Sequence, residues 1–287
     1  MTTKYRNDLN VLAWYGNRNM QLHRRYYSQS YIYPLCTPVG KIMPFQIILP
    51  KKNNRVIKAE LFSIDDNRVA DITKQLMLNV IMHKESNCDI FVNAGFFTML
   101  GEYNEGSYYI ALSDDSDKYY SEVFTFGDVS CMVKIEYSNQ HSLTDIHGNI
   151  QVYYGDMYTN IIYLDMGIGR PEYTFIEEGE ERDGKFVPTY QISQKKFIAK
   201  VRLPEHIIDA IRIVPLHDFI TITDGRSGIE YNVEHISMDV KWGTSYLANV
   251  SIEFMENTEV KKVGGLIESI GDFNNDFNND FNIKDNG

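Results

Sequence analysis

Apolar and polar residues alternate along much of this chain with a period of two, the mark of strands that bury one face. In residues 196–203, Phe197, Ala199, Val201 and Leu203 alternate with Lys196, Lys200 and Arg202, and only Ile198 breaks the polar side. In residues 248–255 one face is Ala248, Val250, Ile252 and Phe254, and the other begins Asn249, Ser251, Glu253. Residues 131–137 repeat the pattern, with Val133 and Ile135 inward and Lys134 and Glu136 outward. Further strands are predicted over 42–49, 56–62, 90–97, 108–112, 119–126, 219–223 and 231–236. These runs are rich in Val, Ile, Tyr, Phe and Thr and end at Gly, Asn or Asp turns.

A helix is predicted over residues 204–214. Pro204 suits the first helical position, Glu205 and Asp209 favour the early turns, and Ile207, Ile208, Ile211 and Val214 form one stripe before Pro215. A weaker helical pattern covers 72–83, where Leu76, Val80 and His83 share a face. The predicted fold class is therefore mainly β with minor α, in two β-rich domains plus terminal arms. Residues 1–30 read as an N-terminal arm and 31–130 as a β-sandwich domain. Residues 131–263 read as a second β-rich domain of α+β character, joined to the first near 127–131. An acidic loop is expected at 177–184. Residues 264–287 form a low-complexity tail that repeats DFNN.

Composition narrows the function. At 43% hydrophobic the chain can build a core, and no stretch approaches the ~18 uninterrupted apolar residues of a membrane helix. No membrane insertion is expected. The opening MTTKYRNDLN lacks the apolar run of a secretory signal, so a cytoplasm-like compartment is expected unless a larger particle carries the chain out. Cys36, Cys88 and Cys131 are odd in number and far apart, which argues against a disulfide framework and favours small buried thiols. A net charge of -11 argues against direct nucleic-acid recognition, which needs a basic face. The charge is uneven. Residues 1–30 hold Lys4, Arg6, Arg18, Arg24 and Arg25 against Asp8, whereas 264–287 hold Glu268, Asp272, Asp276, Asp280 and Asp285 against Lys284. A basic head and an acidic tail on one chain hint at assembly.

Catalytic signatures occur only in fragments. Gly179 to Lys185 has the glycine and lysine spacing of a phosphate loop, but Phe186 stands where Ser or Thr must hold magnesium, and Glu180, Glu181 and Asp183 repel phosphate. Gly167-Ile168-Gly169 opens like a dinucleotide loop, but Arg170, Pro171 and Glu172 follow in place of a helix start. Asp272, Asn274, Asp276 and Asn278 match the early ligands of a calcium loop, but Phe277 replaces the required glycine and Ile283 the bidentate glutamate. His141 and His147 flank Asp145 in a turn-like stretch, and the other histidines are scattered. No catalytic residue, cofactor or metal ligand is assigned.

Aromatic residues point elsewhere. Trp14, Tyr15, Tyr26 and Tyr27 lie in the arm without a strand pattern, beside Arg24 and Arg25. Phe273, Phe277 and Phe281 recur every four residues in the acidic tail, which would align them on one helical stripe. These nine residues are the candidate assembly contacts. The 20 tyrosines raise an alternative, a platform for stacking on sugars, although tyrosine is equally suited to strands and interfaces.

Several segments resemble a recurrent element in virion proteins. They are GSYYIALSD at 106–114 with KYYSEVF at 118–124, GRPEYTF at 169–175, QISQK at 191–195, and the run from Lys241-Trp242 through ANVSIEF at 248–254 to Lys261-Lys262. The set is similar to tail, ring and baseplate proteins of tailed phages and prophages of Bacteroides-type gut bacteria, including crAss-like phages. The likeness covers roughly residues 40–263, so the arm and the DFNN tail lie outside it. It implies a β-rich adaptor rather than an enzyme. Such a protein would form a homo-oligomer, bind other tail, portal-proximal or fibre proteins, assemble in the bacterial host cytoplasm and reside in the virion tail. The alternative is a carbohydrate- or receptor-binding module at a tail tip.

Overall fold

A computed structural model describes residues 7, 9–18, 35–85, 87–155, 157–244, 247–256 and 260–263. Of these residues strands make up 57% and helices 8%, so the fold is mainly β with minor α. In the first half, strand Gly106–Ser113 is the centre of a seven-stranded sheet. Lys58–Ser63 pairs along one edge, with Arg68–Asp71 outside it. Lys118–Ser121 and Phe124–Gly127 share the other edge. Trp14–Tyr15 and Leu35–Pro38 complete the sheet. A smaller sheet, Phe45–Pro50, Cys88–Asn93 and Ile81–Lys84, contributes five consecutive buried residues from Phe45 to Leu49.

In the second half, strand Ile229–Lys241 organises the nine-stranded sheet. Its register shifts between Val233 and His235, so its first part pairs with Phe219–Asp224 and its second with Leu247–Glu256. A shift of this kind bends a strand and lets one sheet turn over its own face. Val133, Ile135 and Tyr137 on one limb, and Ala248, Val250, Ile252 and Phe254 on the other, are buried as their alternation predicts. The rings of Phe197 and Phe254 stack at 5.2 Å within this core. Each described strand pairing lies within residues up to Gly127 or from Val133 onward, yet the buried side chains form a continuous cluster from Val11 to Phe254. Gln46, fully buried, ties the halves together: its Nε2 donates to the Tyr153 carbonyl at 3.1 Å and its Oε1 accepts from Tyr153 N–H at 2.7 Å.

Several expectations need correction. The pattern at 72–83 is a helix only over Thr73–Asn79. Val80 turns extended, and His83 belongs to strand Ile81–Lys84, which pairs with Cys88–Asn93. Non-local pairing overrides a weak helical pattern there. The better helix spans Glu205–Ile211 with Pro204 as its N-cap, and Pro215 sits inside a short 3-10 turn, Val214–Leu216. The run at 119–126 is two strands, broken where Glu122 is buried and accepts from Val123 N–H at 2.9 Å. The thiols are not uniformly buried: Cys88 is, Cys36 is half-buried and Cys131 is exposed.

Candidate functional site

The arm residues Trp14 and Tyr15, expected to meet a neighbour, are 4% and 5% exposed within their own subunit. Their strand pairs with Ser121 and Tyr120. Trp14 packs 5.3 Å from the Phe45 ring, and the Tyr15 hydroxyl donates to Glu122 at 2.7 Å. The run Val11 to Tyr15 is apolar throughout and buried throughout, a signal of core that the missing alternation concealed. Arg18, from the basic head, donates to Asp66 at 3.1 Å and lies over the Tyr109 ring. Arg24, Arg25, Tyr26, Tyr27, Phe273, Phe277 and Phe281 lie outside the described residues.

The expected acidic loop at 177–184 is instead the end of a long hairpin. Strand Glu172–Arg182 pairs antiparallel with the 20-residue strand Lys185–Pro204. Asp183 and Gly184 close it with φ of 53° and 71°, the two left-handed residues that a tight type I′ turn requires. The phosphate-loop fragment is this turn. Gly179 has a packing reason: an added Cβ would lie 2.4 Å from the Val187 carbonyl oxygen. A Gly179→Val chain should therefore lose the hairpin tip, read as new protease cleavage near residue 183 with the global melting temperature kept. Resistance equal to wild type would contradict that close approach.

This hairpin leaves the body. On its outer side, strand Val260–Val263 supports Tyr190 to Ser193 and strand Leu247–Glu256 supports Lys196 to Pro204. Residues 185–189 pair with the other hairpin strand alone among the described residues. At ~3.4 Å per residue this two-stranded end is roughly 17 Å long. The hairpin is apolar on both faces, with Phe186 and Val187 on the two-stranded end and Tyr173, Phe175 and Ile176 nearer the body. Tyr173, Phe175 and Phe186 are 72%, 64% and 52% exposed on one face, and Ile176 and Val187 are exposed on the other. Glu177, Glu178, Glu180, Glu181 and Asp183 outnumber Arg182 and Lys185. An isolated ribbon of this kind is marginal in water and gains stability by packing against something.

Further along the same strand, an open groove of about 810 Å3 is bordered by Lys200 and Arg202, Asp239 and Lys241, and Asn249. Cross-strand pairing sets Lys200 beside Ser251 and Asp239, and Arg202 beside Asn249 and Lys241. Lys241 meets Asp239 at 2.8 Å and Arg226 meets Asp165 at 3.1 Å. Lys200 and Arg202 make no ion pair among the described residues.

The remaining polar clusters hold the fold. Asp145 accepts from the backbone of His147 at 2.8 Å and of Asn149 at 2.9 Å, so it anchors the turn over residues 145–149 that carries His147. Gly167–Ile168 is a short strand beside Lys200 and Ala199, not the entry to a helix. No cluster of three or more His, Cys, Asp or Glu with metal-binding spacing occurs among the described residues. His217 is 8% exposed. Its Nδ1 faces the Ile213 carbonyl at 2.8 Å and its Nε2 meets the Tyr154 hydroxyl, which Asn160 approaches at 2.9 Å. That pattern assigns the proton of a neutral ring to Nδ1, with Nε2 accepting from tyrosine. Burial pushes the His217 pKa down, outweighing the two carbonyls and Asp218 that favour the charged ring. The folded state therefore binds this proton less readily than the unfolded chain. Stability from this group is present above about pH 6.5 and falls as pH drops through the lowered folded value. The urea midpoint should drop between pH 7.5 and pH 5, and a His217→Gln chain should show a shallower drop. Equal drops would exclude His217 as the source.

No family model matches the chain, and no curated protein does. One solved structure to which it is similar is the crystal structure of Dpr2 Ig1-Ig2 in complex with DIP-Theta Ig1-Ig3, at 11% identity. The alignment covers 81% of this chain and 96% of that one with a TM-score of 0.17, and a likeness at that score carries no argument about fold or function.

Proposed function

We propose that this chain is a structural subunit of a phage tail assembly, a ring, hub or baseplate adaptor that binds copies of itself and neighbouring tail, portal-proximal or fibre proteins. The observation that carries self-association is the projecting ribbon, with Phe186 and Val187 exposed beyond the body of the sheet. Natural edge and ribbon strands left this apolar are places where another chain packs. The tail assignment rests on the resemblance of the strand motifs between residues 106 and 262 to virion proteins. Residence in the virion, after assembly in the host cytoplasm, follows from the same resemblance. The alternative, a sugar- or receptor-binding module, calls for a tyrosine and tryptophan platform. Tyr173 and Trp242 are the residues of these types among the exposed large apolar residues of the described chain, Tyr173 opposite Lys195 on the hairpin and Trp242 just past strand Ile229–Lys241. Mass measurement of the purified chain over a range of concentrations, and of the chain within virions, tests the reading. Discrete multiples of the subunit in solution and a fixed copy number in particles are expected. A monomer at all concentrations that is absent from virions would reject it.

A further inference from the structure

The ribbon and the groove lie on one strand and differ in charge. Lys185–Pro204 is continuous, with the tip turn before Lys185 and the groove around Val201. Sixteen residues separate Lys185 from Val201, roughly 50 Å at ~3.3 Å per residue. A subunit's own tip is thus held away from its own groove by an unbroken strand. The tip is acidic and aromatic. The groove offers the complement: the half-buried Met132, Val201 and Leu247 supply apolar wall, its two acids Asp165 and Asp239 pair with Arg226 and Lys241, and Lys200 and Arg202 stand at its border without ion-pair partners among the described residues.

Resting on the assembly reading above, we infer that the ribbon tip of one copy seats in the groove of a second copy, head to tail. Phe186 packs against the apolar wall, and Glu178 and Glu181 approach Lys200 and Arg202. Two different patches meet in such a contact, so each copy keeps a free tip and a free groove. Repetition closes a ring if the rotation between copies closes, and otherwise extends a filament. The charge pairing sits at an exposed border, so added salt weakens it. The ribbon is favoured over the acidic 264–287 tail as occupant because its apolar side chains are already held on a paired scaffold, which lowers the ordering cost of docking.

Two full-length variants test this by sedimentation velocity, Glu178→Lys with Glu181→Lys on the tip, and Lys200→Glu with Arg202→Glu in the groove. All four side chains are exposed, and both variants should melt like wild type. Each alone should associate at least tenfold more weakly than wild type. Mixed in equal amounts they should assemble again, because each supplies a tip and a groove that suit the other. A groove variant that associates as well as wild type overturns the inference while leaving the assembly reading intact. So does loss of association on deleting 264–287 with none on reversing the tip. A wild-type chain that stays monomeric overturns both.

Discussion

Replacing Arg55 with alanine should cost about 3–5 kcal/mol of folding stability, because it strands charge in the interior. The Arg55, Asp89 and Asp114 side chains are 3%, 1% and 1% exposed. Arg55 Nη1 lies 2.5 Å from Asp114 and Nε 3.4 Å from Asp89, while Nη2 donates to the Pro50 carbonyl. Burial alone would raise the Asp114 pKa. The backbone N–H groups of Ser116 and Asp117, with Lys52 and Arg55, overcome it and hold the carboxyl well below the usual carboxylate range. Without Arg55, Asp114 keeps Lys52 at 3.0 Å, but among the described residues Asp89 keeps only the Lys52 backbone N–H, and its Oδ1 has no partner there. Urea denaturation at pH 7 reads the cost, and a change below about 1 kcal/mol, the range of exposed pairs, would show that water reaches the cluster. Replacing Asp89 as well with an apolar residue should recover part of the loss, since the removal of both partners leaves no orphan charge.

Ile211→Asp should cost about 4 kcal/mol, by placing a carboxylate where no partner waits. Ile211 is 3% exposed on helix Glu205–Ile211. It faces a narrow apolar gap with Ile135, Ile236 and Ile252, where the two limbs of the folded sheet meet. The helix is only seven residues long and has no side-chain cap, so packing rather than propensity holds it. The Tyr137 hydroxyl, which donates to the Ala210 carbonyl at 3.0 Å, would be disturbed with it. A variant that melts within a few degrees of wild type would mean that the helix does not pack by this face.

These two sites differ in how visible they were in sequence. Ile211 belonged to a stripe of spaced isoleucines before a proline, and its burial could be read directly. The strands at 133–138 and 247–256 were equally plain, because one face of each is core and the other is wet. Arg55, Asp89 and Asp114 are separated by dozens of residues, and only sheet pairing brings them together. The ribbon escaped for the opposite reason. Both its faces are exposed, so its strands carry no alternation, and the Asp183-Gly184 turn signal sat inside a charged run that read as loop. Trp14 and Tyr15 looked like docking residues because a two-residue strand is too short to show a period. Its place in the core depends on pairing with Ser121, more than 100 residues away.

On the function proposed above, copies of this chain associate through the ribbon. The most direct test compares the solution mass of the full chain with that of a chain in which Asn-Gly replaces residues 179–189. This closes the hairpin across the Glu178–Tyr190 pair, with a turn suited to two residues. Nothing in the buried core is removed, so both chains should fold and melt alike. The account predicts discrete multiples of the subunit for the full chain and a monomer for the shortened one. Equal masses for the two chains, whether both monomeric or both assembled, would contradict it.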